Sequence, residues 1–324
     1  MGGDEDRGIA SGGSPGDGSS LGGSIAGGIE SEPMSLPALE VRNLGVPFGS
    51  RPGLTGISFR VARGERFALV GASGAGKTSL LSALSGSGPV TAGSVRVDGR
   101  DVTALPPEKR GTILLSQRPL LFPHLSVFEN VAFPLRVRGV GRSEIPFRVE
   151  EALAAVRMEG FASRIPSSLS GGQAHRVALA RAVVARPPVL LLDEPLTSLD
   201  PALREEVRQS ILAVQREYRP ALVLVTHDLQ EAGRMADRVG VLLDGGLAQV
   251  GTPEALFRRP TSAAVARFLG LPNDLPGRVA PDGSLYLAGW RLGRPPCAAG
   301  EGEGAAAPPG EGQPAETGAV PLAR

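Results

Sequence analysis

The chain has a single cysteine, Cys297, among 324 residues, which excludes an internal disulfide and a cysteine-built zinc cluster. Its three histidines, His124, His175 and His227, are too scattered along the sequence to suggest a metal site. No stretch approaches the 18 or so consecutive apolar residues that a membrane-spanning helix requires. The N-terminus lacks the basic-then-apolar pattern of a secretory signal. An excess of one charge is missing as well: 34 basic residues stand against 33 acidic ones, a net +1. That balance offers no clustered basic face, so no nucleic-acid partner is expected. These absences lead us to expect a cytoplasmic chain, with any membrane role carried through a partner. Lysine is nearly absent. Only Lys77 and Lys109 occur, and the other 32 basic residues are arginine. A lysine in such a chain invites a chemical reason.

What is present divides the chain by composition. Residues 1–36 are rich in Gly and Ser with few large apolar side chains, and residues 295–324 are rich in Pro, Gly, Ala and Glu. Neither can bury enough surface to offset its ordering entropy, so both are expected to be disordered tails, with Cys297 an incidental thiol in the second. Between them, short apolar runs alternate with helical patterns. Phe67–Val70 runs into a glycine-rich turn, Val189–Leu192 is apolar at every residue, and Ala221–Val225 is another such run. Strands apolar on both faces and separated by helices predict a parallel sheet covered on both sides. Val239–Leu243 and Leu247–Val250, joined by Asp244-Gly245-Gly246, predict a hairpin. Residues from about 124 to 182 are mainly helical in pattern, as an inserted helical subdomain would be.

Gly71-Ala72-Ser73-Gly74-Ala75-Gly76-Lys77-Thr78 fits G-x-x-x-x-G-K-[ST], after a strand and opening a helix. Glycines let backbone N–H groups turn inward around phosphates, and the helix N-terminus adds partial positive charge. The rare Lys77 offers a compact ammonium to β- and γ-phosphates, where the planar fork of an arginine would not fit the same nest. The Thr78 hydroxyl can ligate Mg²⁺. Further on, the apolar run Val189–Leu192 ends in Asp193 and Glu194. Asp193, at the carboxyl end of a buried strand, is placed to hold Mg²⁺, and Glu194 to polarise a water for in-line attack on the γ-phosphorus. Alone, the pair reads equally as an acidic turn; the phosphate loop is what favours the catalytic reading.

Leu169-Ser170-Gly171-Gly172-Gln173, followed by Arg176–Arg181, is more restrictive. As a helix start with Ser170 as N-cap it is already sensible. It also resembles the signature of ABC (ATP-binding cassette) ATPases, which lies one short helix before the Asp-Glu strand, as it does here. The resemblance covers roughly residues 38–272 and implies an α/β, RecA-like P-loop NTPase fold. An inserted helical subdomain and an N-terminal antiparallel β portion come with it, the ATPase domain spanning 37–272. It implies ATP binding by Phe48, Gly71, Ala72, Ser73, Gly74, Ala75, Gly76, Lys77, Thr78 and Ser79. Phe48 lies 23 residues before Gly71, where the family stacks an aromatic on adenine, more often a Tyr. The implied catalytic groups are Glu194, Lys77, Gln117 (the Q-loop glutamine) and His227 (the switch histidine). Thr78, Gln117 and Asp193 become the Mg²⁺ ligands. Leu169, Ser170, Gly171, Gly172 and Gln173 would meet the γ-phosphate held by a second cassette. Ser198, Leu199 and Asp200 resemble the D-loop. Asp98–Val102 resembles a family turn upstream of Gln117 and is equally a plain hairpin turn.

Leu121–Val127 and Gln249–Pro253 resemble bacterial importers of the spermidine, iron, sulfate and molybdate type. The implied partners are a second cassette (identical or a paralogue), transmembrane permease subunits and a solute-binding protein, with the chain peripheral on the inner face of the cell membrane. Such importers usually add a β domain of the TOBE kind. Leu271–Val279 resembles its opening and Ser284–Leu292 one hairpin arm, so residues 273–294 are expected to be a vestige of it. Ser116 departs from the aromatic or apolar residue common before the glutamine. Two other readings stay open. One is a non-transport ABC ATPase acting on DNA or ribosomes; against it, only about 90 residues separate Thr78 from Leu169, without sustained heptads, and there is one cassette. The other is an exporter motor; against it, Ser163–Ser168 lacks that group's acidic-glycine motif.

Overall fold

The computed structural model describes residues 36–48, 51–118, 120–197, 199–271, 274–282, 284–287, 290–293 and 319–321. Residues 1–35, Ser198 and Cys297 lie outside them.

The chain enters as an antiparallel pair, β1 (Leu39–Phe48) and β2 (Arg51–Val61), then drops into β3 (Arg66–Gly71). The phosphate-loop sequence follows, and α1 (Lys77–Ser85) starts at its lysine. β4 (Ala92–Val97) turns through Asp98 and Gly99, both at positive φ, into the short β5 (Arg100–Asp101). β6 (Thr112–Leu115) precedes three helices: α2 (Val127–Val137), α3 (Ile145–Ala155) and α4 (Gly171–Val183). β7 (Val189–Asp193), α5 (Pro201–Tyr218), β8 (Ala221–Thr226) and α6 (Leu229–Met235) come next. The hairpin β9 (Arg238–Leu243) and β10 (Gly246–Gly251) leads to α7 (Pro253–Arg258) and α8 (Ala263–Phe268).

Among the described residues, six strands make one sheet in the order β10-β9-β3-β8-β7-β6, parallel except for β10. Successive side chains of a strand point to opposite faces, so an all-apolar strand must feed two cores. β7 does so. Val189 and Leu191 join a core with β1, β2 and α1, while Leu190 and Leu192 join another with α2–α5. The first core lies between the sheet and a second, antiparallel one in the order β2-β1-β4-β5. Each fully buried Leu or Phe there contributes about 1.5–3 kcal/mol relative to exposure.

The helical layer is fixed by polar groups as well as by packing. Ser126 and Glu129 cap α2 reciprocally. Asn130, fully buried, accepts from the Phe122 amide and donates to the carbonyls of Phe122, Leu125 and Ser126, which orders the loop before α2.

Past α8, β11 (Asp274–Val279), β12 (Leu285–Leu287) and β13 (Trp290–Gly293) form an antiparallel meander, which β14 (Ala319–Pro321) extends along the other edge of β11. β14 departs from the expectation that 295–324 is without structure. The reason is the open edge of β11, whose unpaired backbone groups template a further strand.

Candidate active site

The carboxyl ends of β3, β8 and β7 lie side by side, with Val70 opposite Thr226 and Asp193 opposite Val225. That register sets the phosphate loop, the Asp193-Glu194 pair and His227 on one sheet edge, where open α/β sheets take their ligands. Gly76 closes the loop at φ 90°, and an added Cβ would stand 2.9 Å from Leu54 Cδ2, so conformation and space both require glycine. Ala72, Ser73 and Gly74 are exposed, and Ser79 faces partly outward from the first turn of α1.

Lys77 is buried and folds back over its own loop. Its Nζ donates to the carbonyl oxygens of Gly71 (2.8 Å) and Ala72 (3.0 Å). Burial pushes its ammonium below the usual lysine range, and the negative charges of Glu194 and Asp193 push the other way. Thr78 Oγ1 donates to Asp193 Oδ1 at 3.2 Å. Burial raises the Asp193 carboxyl; the Thr78 hydrogen bond opposes this, the Glu194 charge adds to it, and Lys77 opposes it.

Glu194 takes the left-handed backbone conformation, φ 45°, which for a residue with a Cβ costs on the order of 1 kcal/mol. Its amide donates to the Val225 carbonyl (3.0 Å), which holds that turn on the neighbouring strand. Thr197 Oγ1 donates to Glu194 Oε2 (3.1 Å), and His227 Nδ1 stands 3.3 Å from Glu194 Oε1. The carboxylate is thereby oriented from both sides, with the His227 side chain about half exposed.

Phe48 lines a cavity of about 470 Å³ together with Gly53, Leu54, Ala72–Gly76 and Leu242–Gly245. Leu54 and the Asp244-Gly245 turn are additions to the residues expected from sequence. Only the fold supplies them: the Thr55 amide donates to the Gly245 carbonyl (2.9 Å), which brings β2 under the β9–β10 turn.

The signature residues stand apart from this edge, at the head of α4. Ser170 is exposed, and it and Gln173 cap each other: the Gln173 amide donates to Ser170 Oγ (3.3 Å) and the Ser170 amide to Gln173 Oε1 (3.0 Å). Leu169 packs on the helical core and Gly171 is exposed. Gly172 is buried where an added Cβ would meet Leu203 Cδ2 of α5 at 2.7 Å. Leu199 is partly buried, and Asp200 caps α5 by accepting from the amides of Ala202 and Leu203. Gln117 follows β6, and its carbonyl oxygen lies 3.0 Å from His175 Nε2 on α4. No helix among the described residues is long and apolar enough to cross a membrane.

This sheet, with a lysine-bearing phosphate loop beside a strand-end carboxylate pair, defines a P-loop ATPase. Comparison with known proteins narrows the class. A family model described as "ABC transporter" matches residues 54–197. The spermidine/putrescine import ATP-binding protein PotA of Pseudomonas fluorescens (strain Pf0-1) is 46% identical over 246 residues, covering 75% of this chain and 68% of that protein. A protein of the same description from Haemophilus influenzae (strain 86-028NP) is 42% identical over 245 residues, covering 76% and 66%. A solved structure described as the ATP binding subunit of an ABC transporter superposes with a TM-score of 0.60 at 25% identity, covering 72% of this chain and 94% of that one. The chain belongs to the ABC transporter family, as an ATP-binding subunit that hydrolyses ATP.

Proposed function

We propose that the chain is the motor of a bacterial importer, driving solute through separate membrane subunits by closing on a second cassette around ATP and reopening after hydrolysis. The observation that carries the chemistry is the Glu194 carboxylate, oriented by Thr197 and His227 beside the Lys77 loop. In this reading Glu194 accepts the proton of the attacking water. His227 orients that carboxylate and reaches the γ-phosphate. Lys77 exchanges its two carbonyl partners for phosphate oxygens. Phe48 packs on the base within its cavity. Residues 169–173 and the 198–200 segment serve the nucleotide of the second cassette, which accounts for Ser170 and Gly171 standing exposed at the head of α4 in one chain.

The residues present also fit Mg²⁺. Thr78 Oγ1 and the Asp193 carboxylate are hard oxygen donors already 3.2 Å apart. Among the described residues no group of three acidic, Cys or His side chains forms a cage. That suits an ion held by one or two protein oxygens and the substrate's phosphates, with Gln117 as a further donor. When bound, the ion neutralises charge on the transferring phosphoryl group.

The importer direction rests on the names of the relatives and on the importer-like runs 121–127 and 249–253. A permease pair and a solute-binding protein are the partners this implies, and they place the chain on the cytoplasmic face of a membrane. Residues 273–294 are the vestige of a β domain in this reading. The test is Glu194→Gln. Hydrolysis is expected to fall by about 10²–10⁴-fold while nucleotide binding is kept, and magnesium–ATP is expected to trap paired cassettes with the membrane subunits present. Wild-type hydrolysis in Glu194→Gln, or cassettes that stay single, overturns it.

A further inference from the structure

His175 sits one turn into α4 and is buried, 6% exposed. Both ring nitrogens face backbone carbonyls: Nδ1 is 3.0 Å from Gly171 O, one turn back on the same helix, and Nε2 is 3.0 Å from Gln117 O, in the loop after β6. A carbonyl oxygen only accepts and a neutral imidazole carries one N–H, so a neutral ring donates to one of the two carbonyls. The bond to Gln117 requires the hydrogen on Nε2, the bond to Gly171 the hydrogen on Nδ1. Six residues further along α4, Arg181 Nη2 donates to Leu120 O (2.6 Å), and its guanidinium lies 5.4 Å from the Phe122 ring centre. Two side chains of one helix therefore hold two carbonyls of one loop. The same helix begins at Ser170.

We propose that His175 is a positioning residue for ATP hydrolysis: through Nε2 it ties the backbone of Gln117 to the signature helix, so that the loop and Ser170 travel as one body. This rests on the role given to Gln117 above. A His used only to finish the helix start would need its Nδ1 contact alone. The two possibilities separate by side-chain length. An asparagine amide reaches about as far as Nδ1 and a glutamine amide about as far as Nε2.

The experiment is steady-state ATP hydrolysis by the full-length chain carrying His175→Gln, His175→Asn, Gln117→Ala or the Gln117→Ala/His175→Asn pair, with melting temperatures measured alongside. His175→Gln is expected within about threefold of wild-type kcat. His175→Asn is expected to lose about tenfold in kcat with KM for ATP changed less than about twofold, since small misplacements of a catalytic group act on the reacting geometry. The double variant is expected to be no slower than Gln117→Ala, because both changes remove one pathway. The inference is overturned if His175→Asn matches wild type, if His175→Gln is the slower of the two, or if the double variant is slower by the full factor of His175→Asn. Full activity in Glu194→Gln would instead overturn the proposed function itself.

Discussion

The sheet edge and the head of α4 are both glycine-rich helix starts, yet they are finished differently. At the sheet edge, Lys77 is buried against two carbonyls of its own loop, and Asp193 is raised by burial and steadied by Thr78. Burial disfavours the charged form of both groups there, and hydrogen bonds within the chain hold each of them. At the head of α4, Ser170 and Gln173 satisfy each other, and nothing in the cap is buried and unpaired. One site is electrostatically loaded for a ligand from solution. The other is satisfied within the chain; under the proposed function it acts only when a second cassette lies on it. Two physical economies thus exist within one ATPase chain, and substitutions should separate them.

The largest effect should come from the loaded site. Lys77→Ala is expected to weaken ATP binding by about 10–100-fold, since a hydrogen bond to a charged group contributes about 1.5–3 kcal/mol. Equilibrium titration with ATP checks this, and unchanged affinity would mean that the ammonium stays with Gly71 and Ala72. Next is the packing beneath the self-capped site. Gly172→Ala places a Cβ 2.7 Å from Leu203 Cδ2, the far end of a partly exposed side chain that can turn aside. The low end of the roughly 1–3 kcal/mol of overpacking is set against about 1 kcal/mol of helix propensity gained over glycine, so a net loss of no more than about 1 kcal/mol is expected. Chemical denaturation should show the loss, and adding Leu203→Ala should remove the clash, leaving a smaller deficit.

Ser170→Ala should cost about 1 kcal/mol through the lost cap, a melting-point fall of about 2–4 °C. If Ser170 also meets a partner's nucleotide, coupled hydrolysis should fall much further than stability does; proportionate losses would reduce it to a cap. The smallest effect concerns pH. Burial raises the Asp193 carboxyl above its ordinary 3.8, so the folded state disfavours its ionised form, and this cost sets in as pH rises past the unfolded value. Asp193→Asn should therefore melt higher than wild type at neutral pH, by about 2 °C or more per kcal/mol relieved. The gain should vanish below about pH 4, where the unfolded carboxyl is protonated too. A gain independent of pH would assign the effect to packing instead of charge.

Much of this was legible beforehand, for identifiable reasons. Phe67–Val70, Val189–Leu192 and Ala221–Val225 all became central strands, because a strand covered on both faces must be apolar at every residue. The Asp244-Gly245 turn was readable because its positive φ angles select those residue types. Ser170 was readable as the N-cap of a helix start, and the structure adds its reciprocal partner Gln173. What was not legible depended on distant neighbours. Leu54 beneath Gly76, the β9–β10 turn beside Phe48, and His175 under Gln117 each join segments tens to hundreds of residues apart. β14 on β11 is of the same kind, since strand pairing across a long gap leaves no periodic trace.

The sequence alone determined the loop that turns on glycine, the strands that must be buried, the carboxylates that end one of them and the cap that opens α4. Local backbone sterics and side-chain periodicity write those directly into residue order. Tertiary structure alone decided that Thr78 lies 3.2 Å from Asp193, that His227 lies 3.3 Å from Glu194, and that His175 reaches across to the carbonyl of Gln117. Such distances follow from strand register and from the order of strands in the sheet. Those are settled by how whole faces pack together, not by any short stretch of residues.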